Sequence, residues 1–227
     1  MIRELGILDT DLVAHHDAFG VPTRDDQHGV AYPMLFVLDA QGVVERKIVE
    51  ESYRVRSGGQ RLLAELTGVT PPLPADAPSA TAAQRGPSAS DVLTLRAWVD
   101  SPTYYAYQRI GLHLELAIAP GWHLYAPSVP GGYQGLALTV RSEPAGARLG
   151  PIAWPAAHPF EVSGLDEELP VYTGTVRLIA PLEVIIARGS GEARIDLEVR
   201  SQACTANECL PPATLRASLR LPEAPTL

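Results

Sequence analysis

Three stretches of the chain alternate strictly between apolar and polar positions. Leu112, Leu114, Leu116 and Ile118 are separated by His113, Glu115 and Ala117. Ile195, Leu197 and Val199 alternate with Arg194, Asp196, Glu198 and Arg200, and Leu215, Ala217, Leu219 and Leu221 with Arg216, Ser218 and Arg220. A strand turns successive side chains to opposite faces, so a period of two with one charged face predicts strands buried on one side only. Weaker runs at 93–99, 136–140 and 174–178 lie between Pro/Gly turns. Six or more short strands from Asp91 onward predict a β-sandwich over 91–227.

The first 69 residues carry an α/β pattern. Tyr32–Asp39 is an apolar run suited to a buried strand, 40–42 supplies a turn, and 43–49 reads as a second strand. Leu62, Leu63 and Leu66 mark one face of a helix over 58–66, and Met1–Leu8 reads as the tail of another. Residues 70–90 hold five prolines and six alanines with almost no large apolar side chain. Such a segment cannot bury enough surface to offset its ordering entropy, which predicts a semi-rigid linker. The fold expected is therefore mainly β, a sandwich over 91–227 joined by a 70–90 linker to a partial α/β fragment over 1–69.

Composition removes several function classes. The formal charge of −8, with no Lys/Arg cluster, argues against a nucleic-acid surface. No stretch approaches the ~20 apolar residues needed to span a bilayer. The N-terminus carries acids early and lacks an apolar core segment, so no signal peptide is visible.

The chemistry concentrates on two cysteines, Cys204 and Cys209, in SQACTANECLPP between two of the clearest strands. Being the only pair, they form the only intramolecular disulfide available. A loop this short is worth only about 2 kcal/mol by chain entropy, against ~3 kcal/mol for a fifteen-residue loop. A domain with so much alternating apolar surface does not need a small staple. A disulfide closing a short loop is also among the most easily strained and reduced. The residues alone leave a structural staple and a redox pair both open. A metal site would need further ligands from scattered histidines or carboxylates, and neither a metal nor a cofactor is expected.

QACTANECLPP resembles the active-site hairpin of the N-terminal domains of the thiol:disulfide interchange protein DsbD. PGWHLYAPS at 120–128 resembles that family's Gly-aromatic-x-Leu-Tyr segment, and LPVYTGTVRL at 169–178 the strand after its cap loop. The three landmarks stand in the family's order over 92–221. The resemblance implies an immunoglobulin-like fold with Cys204 and Cys209 as the redox pair. It also implies a periplasmic location, electrons taken from a thioredoxin-like partner, and reduction of oxidised proteins. Tyr125 matches the second aromatic beside the cysteines, while His123 holds the first aromatic position, a departure from the family. Trp122, His123 and Tyr125 equally fit ordinary strand packing with polar tips at the rim. The cap loop falls within 156–169, with Phe160 or Leu165 as the shielding residue. Asp166, Glu167 and Glu168 read as a solvated turn. With no Lys or Arg between the cysteines and Glu208 before Cys209, nothing local depresses a thiol pKa strongly.

GVAYPMLFVLDAQGVVERKIVEESYR resembles the second half of a thioredoxin-like fold of the peroxiredoxin (AhpC/TSA) branch. That resemblance implies a cis peptide at Pro33 and a catalytic cysteine upstream of residue 1, so peroxidase activity is not expected from this chain. The chain then looks like the C-terminal portion of a longer fusion whose export signal lies upstream. Two functions follow. The favoured one is an exchange relay passing electrons between a thioredoxin-like donor and oxidised partners. The alternative is a non-catalytic immunoglobulin-like binding module with an inert disulfide, or an accessory domain of a truncated peroxiredoxin-type antioxidant protein.

Overall fold

The computed structural model describes residues 3–6, 8–18, 20, 22–50, 55–67, 76–161 and 168–225. The chain forms two compact units, 1–57 and 58–227.

The first unit holds helix α1 (Leu12–Ala18) and strands β1 (Met34–Leu38), β2 (Val44–Val49) and β3 (Arg56–Ser57). β1 and β2 form the antiparallel hairpin that the 32–49 pattern predicts. Its turn is tied by Asp39, whose carboxylate accepts the N–H groups of Gln41 and Val43. Two expectations are corrected here. Residues 3–6 form a turn closed by Gly6 at φ +65°, and Leu8 bridges Ala31, so the helix expected over 1–8 is absent from its described residues. The Tyr32–Pro33 peptide is trans, and the cis bond among the described residues is Glu143–Pro144. Trans is the default for an X–Pro bond, and Pro33 simply leads into β1, its carbonyl accepting from Glu50 N.

The second unit begins with helix α2 (Gly59–Thr67), so the break falls twelve residues before the expected boundary at 69. Among the described residues twelve strands follow: β4 (Ser79–Arg85), β5 (Asp91–Val99), β6 (Gln108–Ile118), β7 (His123–Tyr125), β8 (Ala137–Glu143) and β9 (Ala147–Leu149). The rest are β10 (His158–Glu161), β11 (Glu168–Tyr172), β12 (Thr175–Val184), β13 (Ala193–Ser201), β14 (Ala203–Cys204) and β15 (Ala213–Leu221). β4 corrects the linker expectation, because half of the 70–90 segment that is described forms a strand paired with β5 from Ser79↔Trp98 to Arg85↔Asp91. Its alternate alanines, Ala80 and Ala82, rest on the core. Small residues suffice there because the ladder with β5 satisfies the backbone.

One sheet runs β4-β5-β6-β12-β9 and a second β15-β13-β8, with antiparallel pairing throughout. The alternating positions read from the sequence face each other between them. Leu112, Leu114 and Leu116 come from one sheet, and Ile195, Leu197, Val199 and Leu219 from the other. This is the immunoglobulin-like sandwich the pattern predicts. On the outer faces, registered partners pair by charge: Arg216 donates to Glu198 at 2.9 Å and Arg177 to Glu115 at 2.7 Å. His113 departs from its polar-face reading. It is buried, stacked on Trp98 with ring centroids 5.3 Å apart and lying 3.7 Å from Asp100.

Candidate redox site

A third, smaller sheet in the order β10-β11-β7-β14 builds the site. Register decides which side chains share its face. Cys204 pairs with His123 and Ala203 with Leu124; Tyr125 pairs with Val171 and Leu124 with Tyr172; Leu169 pairs with Phe160. Because faces alternate along each strand, Cys204, His123, Tyr125, Val171, Leu169 and Phe160 lie on one side. Leu124, Ala203 and Tyr172 lie on the other, and all three belong to the main sandwich core. The sheet thus has one face anchored in the fold and one face given to the cysteines.

The hairpin that carries the pair is closed by its own side chains. Thr205 Oγ1 accepts from Asn207 N at 3.2 Å and Glu208 N at 3.1 Å, and Thr205 N donates to Glu208 O at 2.8 Å. Leu210 N donates to Ala203 O at 2.9 Å, and the Gln202 side chain donates to Leu210 O. A threonine hydroxyl bonding forward to the backbone is a common device for tight turns. It brings Cys204 and Cys209 opposite each other, 4.0 Å apart at Cα, joined by a disulfide.

The two cysteines sit in different environments. Cys204 is fully buried, in a cluster with Tyr125, Leu169 and Val171 that Val129, Tyr133 and Phe160 extend. Cys209 is exposed, flanked by exposed Asn207 and Glu208. The rings cover the buried half. His123 lies 4.2 Å from the Phe160 ring and edge-on to Tyr125 at 5.5 Å, and Tyr125 packs on Tyr133 at 4.9 Å. The loop after β7 is drawn back onto that strand, with Leu136 N donating to Tyr125 O at 2.9 Å. Gly135 permits the approach, since a Cβ there would meet Ala126 O at 2.8 Å.

The Tyr125 hydroxyl lies 3.8 Å from Cys209 Sγ. A disulfide sulfur has no proton, so the phenol is the donor. Burial, and secondarily Tyr133, push the Tyr125 pKa up and keep the phenol protonated. In the reduced protein the same O–H can stabilise a Cys209 thiolate, because hydrogen bonds to the charged form favour it. Tyr125→Phe is therefore expected to raise the Cys209 pKa by about one unit, the equivalent of one weak charge-assisted hydrogen bond. The pH dependence of alkylation in a Cys204→Ser background measures it. An unchanged midpoint would show that the contact is packing alone.

Burial, and then His158, push the His123 pKa down. Its Nε2 is buried and has no hydrogen-bond partner. Of the residues singled out by sequence, Cys204, Cys209, His123, Tyr125 and Phe160 converge here. Leu165, Asp166 and Glu167 lie outside the described residues, and Pro33 belongs to the other unit. Trp122 packs on the main core rather than on the cysteines. Sequence reasoning missed Tyr133, Leu169 and Val171. Leu169 and Val171 were legible as alternate positions of one strand, whereas Tyr133 sits in a Pro/Gly loop with no periodic signal.

Fold and site together define the class: an immunoglobulin-like sandwich with a hairpin disulfide at one end, buried on one sulfur's side and open on the other's. The family model for the N-terminal region of the thiol:disulfide interchange protein DsbD matches residues 91–221, more than half of the chain, and the chain belongs to that family. Among solved structures it is similar to the N-terminal periplasmic domain of ScsB from Proteus mirabilis, at 20% identity and a TM-score of 0.40. That match covers 60% of this chain and 50% of that one, so the chain spans about half the length of its relative. It is also similar to the reduced DsbD N-terminal domain of Neisseria meningitidis, at 13% identity and a TM-score of 0.34, covering 71% of this chain and 98% of that one. No curated protein matches the sequence.

Proposed function

We propose that the second unit exchanges disulfides with thioredoxin-like proteins through Cys204 and Cys209, passing electrons on to oxidised partners. The observation that carries this reading is the asymmetry of the pair, one cysteine exposed and the other fully buried. A partner's thiolate reaches the Cys209 sulfur, forms a mixed disulfide and expels Cys204; the partner's second thiol then releases Cys209. In the donor direction the reduced Cys209 attacks a partner disulfide, and Cys204 resolves the adduct. A purely structural disulfide gains nothing from one open sulfur.

Family membership supports thiol:disulfide interchange as the chemistry. An extracytoplasmic compartment fits a persistent disulfide, and among the described residues no helix is long and apolar enough to cross a membrane. No cysteine precedes Cys204, so in this chain exchange runs through the one pair.

The reduction potential, measured by equilibration with glutathione, separates exchange from structure. A value near or above about −200 mV is expected for a carrier, and a value below about −300 mV would assign the bond a structural role.

A further inference from the structure

The buried imidazole at the family's aromatic position has a chemical capacity that an aromatic ring lacks. His123 is 3% exposed, stands directly opposite Cys204 in the β7–β14 ladder, and leaves Nε2 buried without a partner. Buried polar atoms are nearly always matched, so an orphan calls for a cause. The redox state supplies one. The structure is the disulfide form, in which neither sulfur carries a hydrogen to donate. Reduction creates one S–H donor on each cysteine, and the one on Cys204 is buried on the residue paired with His123 in the ladder. Directly opposed residues of an antiparallel pair have Cβ atoms roughly 4.5–5.5 Å apart, within reach of an imidazole and a thiol.

We infer that His123 is the general base for Cys204: its Nε2 accepts the Cys204 thiol proton when that cysteine resolves a mixed disulfide held on Cys209. This rests on the exchange function proposed above and adds the proton's path to it. The step is balanced. The Cys204 S–H bond breaks and its proton moves to Nε2. The sulfur's electron pair forms the bond to Cys209 Sγ, and the bond between Cys209 and the partner's sulfur breaks with its pair leaving as the partner's thiolate. The domain is oxidised by two electrons and the partner reduced. The imidazolium then returns its proton to the departing thiolate or to water. In the opposite direction the imidazolium protonates Cys204 as it is expelled.

Burial disfavours a bare thiolate at Cys204, so a local base is needed there, whereas exposed Cys209 can ionise into water. Burial also keeps the imidazole neutral and able to accept at neutral pH. Among the described residues, the other titratable groups on the elements packed around it are Tyr125 on its own strand, Tyr133 of the following loop, His158 and Glu161 of β10, Glu168 of β11, whose Tyr172 turns to the opposite face, and Glu208 of the hairpin. Glu161, Glu168 and Glu208 are exposed. Among the described residues that leaves no carboxylate in the buried cluster to take the proton instead.

The test uses the full chain, reduced and mixed with glutathione disulfide under single-turnover conditions, following the glutathione adduct by quenched mass spectrometry. In wild-type protein the adduct is expected to be transient. Its resolution should level off at neutral pH and fall in acid with a midpoint below the ordinary imidazole value of ~6.5. In His123→Gln and in His123→Phe, adduct formation at Cys209 should stay within about threefold of wild type. Resolution at neutral pH should slow by about a hundredfold, and its rate should instead climb about tenfold per pH unit toward the thiol range near 8.5. His123→Phe restores the family's aromatic character and keeps a ring against Phe160, so a kinetic defect shared by both variants is not a folding defect. Unfolding curves of the oxidised proteins check that. Resolution within threefold of wild type with an unchanged pH profile, in whichever variant folds, would overturn the assignment. If wild-type protein itself forms no adduct, the exchange function fails first and takes this step with it.

Discussion

A Cys204→Ser variant should accumulate a covalent complex with a thioredoxin-like protein, and Cys209→Ser should form none. The cause is the difference in exposure, since Cys204 is fully buried and Cys209 is exposed. With Cys204 replaced, Cys209 remains free to attack a partner disulfide, but no second thiol of the domain can resolve the product. With Cys209 replaced, the remaining thiol lies beneath Tyr125, Leu169 and Val171 and no partner sulfur reaches it. Exchange activity should fall to background in both variants. The loss is not explained by unfolding, because removing so short a crosslink costs about 2 kcal/mol by chain entropy. Non-reducing electrophoresis with a resolving-cysteine mutant of a thioredoxin-like protein reads the result. Equal trapping by the two variants would mean that the partner approaches from the side of Cys204 or that the fold opens, and the asymmetric mechanism would be abandoned.

Leu124→Ala should be the most damaging change near the site that touches neither sulfur. Leu124 is fully buried and projects into the sandwich core from β7, whose neighbours His123 and Tyr125 project the other way onto the cysteines. Truncating a buried leucine removes its transfer free energy and leaves a cavity, about 2–5 kcal/mol in all. Out of a typical total of about 5–15 kcal/mol, that is enough to populate unfolded protein. β7 is hydrogen-bonded to β11 on one side and β14 on the other, so loosening it also disturbs the cover of Cys204. Denaturant unfolding of the oxidised protein should show the loss, together with faster reduction by a small dithiol. A change under 1 kcal/mol would mean that the small sheet is held by its ladders rather than by this anchor.

The strands with strong alternation were legible in the sequence because each buries large aliphatic side chains on one face. β6, β13 and β15 lie where Leu112–Ile118, Ile195–Val199 and Leu215–Leu221 place them. β4 was not legible, because Ser, Ala and Thr carry too little apolar surface to reveal a face, and its order comes from pairing with β5. Pro33 misled in the opposite way. A motif suggested a cis bond, yet nothing in the local residues opposes the trans default, and the bond is trans. At the site, the cysteines, His123, Tyr125 and Phe160 were named from their motifs, while Tyr133 entered only when a loop folded back across Gly135.

Residue order by itself determined that 91–227 is a sandwich, that one disulfide is available, and that its two cysteines lie between two strands. Those conclusions rest on local quantities: period, spacing and count. Tertiary structure alone decided that Cys204 is buried while Cys209 is open, that four separate segments cover the buried half, and that one imidazole nitrogen is enclosed without a partner. Solvent exposure is set by what packs against a residue from distant parts of the chain, and two cysteines five positions apart carry no local mark of which one water will reach.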